Sequence, residues 1–229
     1  MKFQTILLSL TLSLILTACA SSPKPGSPDA SKAVKIAQFK PTFTAPEVDA
    51  SFYTNALKKL ESKDTNAIDS IDMTQFRFSY LAYRKAIRLF STEPFDKKLG
   101  KAMKVDNFNE IERMADEVLK IDFTDASTHF IKSYAMKKNG KDPSFHDALY
   151  KALMKSIFAS GDGKTPATAY VLSQEKEEVA VLNHLKLVIT TSVTASMSGR
   201  ILDIVECKNK EDENHSIYFD ITKPKGFAF

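Results

Sequence analysis

The sequence predicts an α+β fold, an antiparallel, tetratricopeptide-like stack of helices followed by a small C-terminal antiparallel sheet. Apolar residues recur at helical spacing from Phe52 to about Ser160, and beyond Gly161 the pattern changes to β-branched runs with a period of two. The helices around Ile111 and around Ala148 lie 37 residues apart with one helix between them. That is close to the roughly 34-residue period of a tetratricopeptide helix pair once a short loop at Asp142-Pro143-Ser144 is allowed for. Ile121-Asp122-Phe123-Thr124-Asp125-Ala126 occupies the turn where such repeats carry a proline, and it has none. The likeness is therefore one of helix spacing and not of signature residues.

Four segments follow from composition. Residues 1–18 read as a lipoprotein signal peptide: Lys2 precedes the apolar run Ile6 to Leu16, which has the length of a secretory signal and is too short to span a bilayer. Leu16-Thr17-Ala18-Cys19 looks like a bacterial lipobox, which makes Cys19 the lipidation site and the first residue of the mature chain. Acyl chains contribute roughly 0.8 kcal/mol per buried methylene, so two or three of them hold a protein on a membrane. Ala20 stands where an Asp would retain such a protein at the inner membrane, so the expected location is the outer membrane, facing the periplasm. Residues 19–46, broken by Pro23, Pro25, Pro28, Pro41 and Pro46, read as a flexible tether whose apolar Val34, Phe39 and Phe43 warn that its second half lies against the domain.

Residues 47–160 form the predicted helical lobe. Phe52, Ala56, Leu57 and Leu60 share one face of a first helix, and Phe76, Tyr80, Tyr83, Ile87 and Phe90 one face of a second, which Asp72 and Gln75 open as a capping box. Pro94 and Gly100 mark a break, with Lys97, Lys98, Lys101 and Lys104 as solvated surface. Three more helices carry apolar faces at Phe108, Ile111, Ala115 and Val118, then Phe130, Tyr134 and Ala135, then Phe145, Leu149, Ala152 and Leu153.

Residues 161–229 are predicted to be mostly β and to share the helices' core. Ala169 to Leu172, Lys186 to Ser196, Arg200 to Cys207 and Ser216 to Ile221 read as strands, separated by Ser198-Gly199 and by the polar run Asn209 to Asn214. Cys207 has no intrachain partner once Cys19 is acylated, which leaves a buried hydrophobe or, less simply, a reactive thiol.

The densest candidate for chemistry is the loop Gly161, Asp162, Gly163 and Lys164. It is not a phosphate-binding loop, because Phe158 stands where the first glycine is needed and a helix precedes it; nor is it a calcium loop, because alternating oxygen ligands are missing. As structure it reads completely: Gly161 ends a helix in the left-handed conformation, Asp162-Gly163 turns, and Thr165-Pro166 opens a short helical turn. As a site it lies at the helix-to-sheet junction, where a cleft would form. His129, His146, His184 and His215 have no metal-ligand spacing on one helix face, although His129 and His146 flank adjacent helices and are able to meet. No Gly-x-Ser-x-Gly elbow is present. Asp162, Glu177, Glu178, Asp203 and Asp220 offer carboxylates for glycan hydrolysis, in a chain with no tryptophan to stack on a sugar.

Ser160-Gly161-Asp162-Gly163-Lys164-Thr165-Pro166 with Ala169 and Tyr170, the pair Glu177-Glu178, the closing Ile217-Tyr218-Phe219-Asp220-Ile221, and Asp72 with Arg77 and Tyr80 together resemble the exported bacterial proteins grouped as domain of unknown function 4919. In that family's pattern an aromatic follows the acidic pair; here Val179 stands there. The resemblance implies secretion and a helical body with a C-terminal sheet, and it implies no activity.

The formal net charge of +4 from scattered lysines is no nucleic-acid footprint, and export removes nucleic acid as a partner. With no catalytic set, metal site or cofactor motif recognised, the expected role is a lipid-anchored scaffold whose helices bind an envelope protein or peptide. The alternative is an envelope hydrolase or small-ligand binder using acidic residues near Gly161-Asp162-Gly163.

Overall fold

The computed structural model describes residues 39–87 and 92–224, within a compact unit spanning 37–229. The predicted signal peptide, Cys19, Val34 and Phe90 lie outside the described residues. Seven helices come first: α1 (Ala50–Leu60), α2 (Thr65–Asp69), α3 (Met73–Ala86), α4 (Glu93–Lys104), α5 (Phe108–Ile121), α6 (Ala126–Lys138) and α7 (Ser144–Phe158). A 3-10 turn (Pro166–Thr168), β1 (Tyr170–Val171), α8 (Lys176–Leu185), β2 (Val188–Met197), β3 (Arg200–Lys208) and β4 (Asn214–Asp220) complete the α+β fold.

Short acidic or amide side chains start many of the helices. Asp49, Asp64, Asp72, Asn107 and Asp125 each accept a hydrogen bond from a first-turn amide that has no helical partner. The box predicted at Asp72 is half formed. Asp72 Oδ1 accepts from the Gln75 amide at 2.9 Å, but Gln75 Nε2 donates to the Glu47 carbonyl and to Ser79 Oγ rather than back to the cap. Gln75 thereby ties the entering chain to α3.

Helix α3 is the centre of the molecule, with Met73, Phe76, Arg77, Phe78, Ser79, Tyr80 and Leu81 all buried. Burial on every side is what a helix surrounded by other elements shows. One core joins both parts of the fold: Tyr53, Leu60, Phe76, Leu149, Leu153 and Ile157 from the helices pack with Leu172, Val181, Val205 and Phe219. Tyr53 stacks on Phe76 with ring centroids 5.1 Å apart. The last residues of the expected tether lie against the domain, as the apolar Phe43 suggested. Phe43, Ala45 and Val48 pack on Phe78, Leu81 and Val171, and the Thr42 amide donates to the Ala167 carbonyl.

Three details depart from the periodicity. The break expected at Pro94 and Gly100 is the continuous helix α4: Pro94 falls in its first turn, where a missing amide costs nothing, and Leu99 and Ala102 pack against Ile111, Met114 and Ala135. Its four lysines are exposed, as expected. Ile87 is 48% exposed, beyond the packed part of α3. Phe130, expected in the core, is 52% exposed, because α6 buries Thr128, His129, Lys132, Ser133 and Ala135 instead.

The sheet has the order β1-β4-β3-β2. β2, β3 and β4 are antiparallel neighbours, and the two-residue β1 adds a parallel pairing with β4 (Tyr170 opposite Phe219), so the sheet is mixed. A chain that enters beside β4, crosses through α8 and returns as a hairpin must run that way. On β3, Val205 and Cys207 face the core. Cys207 is 1% exposed, and burial pushes its thiol up.

Candidate functional site

The glycine loop is a brace. α7 stops at Phe158, and Ser160 Oγ donates to the Ile157 carbonyl and accepts from the Val171 amide, joining helix end to strand. The amides of Asp162 and Gly163 both donate to the Thr168 carbonyl, and the Tyr218 amide donates to the Gly163 carbonyl. Gly161 is not left-handed, which corrects the reading of it as a positive-φ cap. It is required by contact: a Cβ there would stand 2.2 Å from the Thr168 carbonyl oxygen. Gly163 does take positive φ (68°) and lies under the Tyr170 ring. Thr165 and Pro166 open the 3-10 turn as expected. Asp162 Oδ1 accepts from Thr168 Oγ1 at 2.6 Å and from the Lys164 amide at 3.0 Å, bonds that hold its carboxyl below the ordinary value. Lys164 is exposed.

Of the other acidic candidates only Glu178 and Asp203 are near each other, and each of the rest has its own partner. Asp220 pairs with Arg200, and Asp203 accepts from Thr194. Burial, with Asp203 and Glu175 nearby, pushes the Glu178 carboxyl up to about 7. Glu177 lies in the core against Arg77, whose Nε and Nη2 reach its two oxygens at 2.8 and 2.7 Å. Ser173 donates to Glu177 through both its amide and its hydroxyl, while Arg77 also donates to Ser156 Oγ and to the Val171 carbonyl. Burial alone would raise the Glu177 carboxyl; Arg77 and the Ser173 donors more than offset it and hold it low.

A second polar cluster sits one turn away. Lys176 Nζ lies 2.5 Å from Asp122 Oδ2 and 2.8 Å from Asp125 Oδ2, and Gln174 and Thr124 donate to Asp122 as well. This cluster floors a cavity of about 310 Å³ lined also by Tyr80, Thr92 and Lys223. Lys176 bridges both carboxylates and so pins the start of α8 to the α5–α6 turn. His129 and His146 do meet, ring nitrogen to ring nitrogen at 2.8 Å, with His129 Nε2 on the Phe123 carbonyl. Burial drives His129 down to about 4 and His146 to about 3. Among the described residues no three His, Cys, Asp or Glu side chains converge to hold a metal.

Among the described residues, a groove between α7 and α8 is open for recognition. Met154, Phe158 and Ala159 floor it, Lys151 and Lys155 stand exposed on one side and His184 on the other, around a volume of about 450 Å³. Its Phe158 and His184 belong to a longer line of rings. Phe130 meets Tyr150 at 5.2 Å, Tyr150 Oη lies 2.8 Å from His184 Nδ1, His184 meets Phe158 at 5.2 Å, and Phe158 meets Tyr170 at 5.3 Å. Reading the sequence missed this line. The spacing assigns Phe130 to an apolar face of α6, Tyr150 and Phe158 stand apart from the α7 stripe of Phe145, Leu149, Ala152 and Leu153, and His184 comes from a helix 34 residues beyond Tyr150.

A family model described as domain of unknown function (DUF4919) matches residues 46–227, and the chain belongs to that family. No curated protein and no solved structure matches the chain at a significant level.

Proposed function

For this member of the family, we propose a cell-envelope protein, held on the membrane by lipid on Cys19, that binds a protein or peptide partner in the α7–α8 groove. The observation that supports this reading is the combination of a half-exposed aromatic floor (Phe158, beside Ala159) with two lysines, Lys151 and Lys155, that have no carboxylate partner among the described residues. Such a surface suits a segment with an aromatic or aliphatic anchor flanked by carboxylates: the anchor is desolvated in the groove, and the lysines set orientation and on-rate. Aromatic surface accepts a range of anchors at small entropic cost.

Two experiments test the two halves. Cells fed a clickable palmitate analogue label the wild type, and Cys19→Ser loses label and membrane fractionation; equal retention of the variant removes the anchor. Fluorescence anisotropy of the mature chain against acidic, neutral and basic peptides sharing one aromatic anchor is expected to select the acidic series. The Lys151→Glu/Lys155→Glu variant is expected to weaken that binding at least tenfold and to lose its salt dependence. Binding that ignores peptide charge and survives the charge reversal overturns the groove reading.

A further inference from the structure

The two edges of the sheet are treated oppositely. β1 is two residues long and buried, with Tyr170 6% and Val171 4% exposed. β2 at the other edge is ten residues, Val188-Ile189-Thr190-Thr191-Ser192-Val193-Thr194-Ala195-Ser196-Met197, with β3 as its single strand neighbour among the described residues. Its residues from Val188 to Thr194 are all exposed, so both faces as well as the outer edge meet solvent. Folds protect such edges with charge, proline, brevity or a bulge, because a row of free amides and carbonyls is a template for another strand. β2 contains no charged residue and no proline, and its one irregularity lies between Ile189 and Thr191, near its beginning. Apolar side chains accompany the open edge: Val188 is 57% exposed, Val193 59% and, on β3, Ile201 45%.

We propose that β2 pairs with the β2 of a second copy of this chain, antiparallel about a twofold axis at Val193, to make one continuous eight-stranded sheet. The composition of the edge argues for self-pairing. A strand without charges opposes its own copy with no like charges face to face, which is the main penalty for juxtaposing identical strands. A twofold axis at Val193 also sets the exposed, β-branched Val193 against itself and brings Thr191 opposite the small Ala195 of the copy on the same face. One strand per copy contributes fewer residues than the roughly 20–30 a side of a standard interface. The dimer is therefore weak and concentration-dependent.

Sedimentation velocity of the full mature chain carrying Cys19→Ser, from about 1 to 500 μM, is expected to show a monomer–dimer equilibrium. Val193→Lys and Val193→Asp each abolish it, and an equimolar mixture of the two restores a dimer; both retain the wild-type melting profile, since Val193 is exposed. Amide hydrogen exchange on the same Cys19→Ser chain with Val193 intact gives a reading independent of those variants: β2 amides slow at high concentration, while those of α4 and α5 do not. A wild type that stays monomeric throughout, a dimer indifferent to both Val193 variants, or dimerisation without β2 protection overturns the proposal. A monomer that still binds acidic peptides through Lys151 and Lys155 overturns the pairing alone and leaves the groove reading standing.

Discussion

Glu177→Gln removes the negative charge from a guanidinium that is 0% exposed, and the cost follows from what stays behind. Arg77 keeps Ser156 Oγ and the Val171 carbonyl, each at 3.2 Å, and one acceptor on the new amide, but its charge is left unbalanced in the core. Breaking a buried pair from one side costs about 3–5 kcal/mol, and the surviving acceptors place this case near 3 kcal/mol, a large part of the roughly 5–15 kcal/mol of a typical domain. Arg77→Met costs a similar amount for the converse reason, since Glu177 then retains only the Ser173 donors and the more distant Gln174 amide. The double variant Arg77→Met/Glu177→Gln leaves no stranded charge, so its loss is smaller than the sum of the single losses by about 2 kcal/mol or more. Urea unfolding at pH 7 with unchanged m-values measures all four corners. Raising the salt leaves the coupling nearly intact, because a desolvated pair is screened little. Single losses below about 1 kcal/mol, or losses that add, refute the view that this pair locks α8 onto α3.

The paired histidines predict an acid limb. Both fold with values below the roughly 6.5 of an unfolded histidine, so the unfolded chain takes up protons first: their stabilising contribution is complete above about pH 6.5 and lost as the pH falls toward 4. For His129 the gap corresponds to about 3 kcal/mol, most of it lost by pH 5, and His129→Gln/His146→Gln flattens this limb in unfolding titrations; a wild type equally stable at pH 7 and pH 5 contradicts it. The glycines separate crowding from backbone strain. Gly161→Ala forces a carbonyl to move and is expected to cost about 3 kcal/mol or more, whereas Gly140→Ala, at φ 70° with open space around it, costs about 1 kcal/mol; melting curves showing equal losses undo the distinction.

Much of the fold was legible before any coordinates. Apolar spacing at Phe76 and Tyr80, at Ile111, Ala115 and Val118, and at Phe145, Leu149 and Leu153 marks buried faces that the fold uses. The alternation from Ser216 to Ile221 marks β4, and the glycine loop with the acidic pair and the closing strand resembles the family to which the chain belongs. These signals are local: a helix repeats every 3.6 residues and a strand every two whatever they pack against.

What the sequence by itself determined is therefore the order and kind of most elements, the family, and the expectation of an acylated Cys19. Only the tertiary structure decided how those elements face one another. Arg77 is buried because Glu177, 100 residues away, neutralises it, and no window of sequence contains both. α6 turns Phe130 outward because His129 and Ser133 find partners in His146 and Asp147 on α7, and satisfied polar groups can be buried in place of an aromatic. Gly161 is needed for the approach of Thr168 and not for its own dihedral angles. The groove exists because α8, unmarked by any strong periodicity, returns to set His184 beside Tyr150 and Phe158. Burial depends on partners distant in the chain, and it is those partners that choose which side of an amphipathic helix becomes the surface.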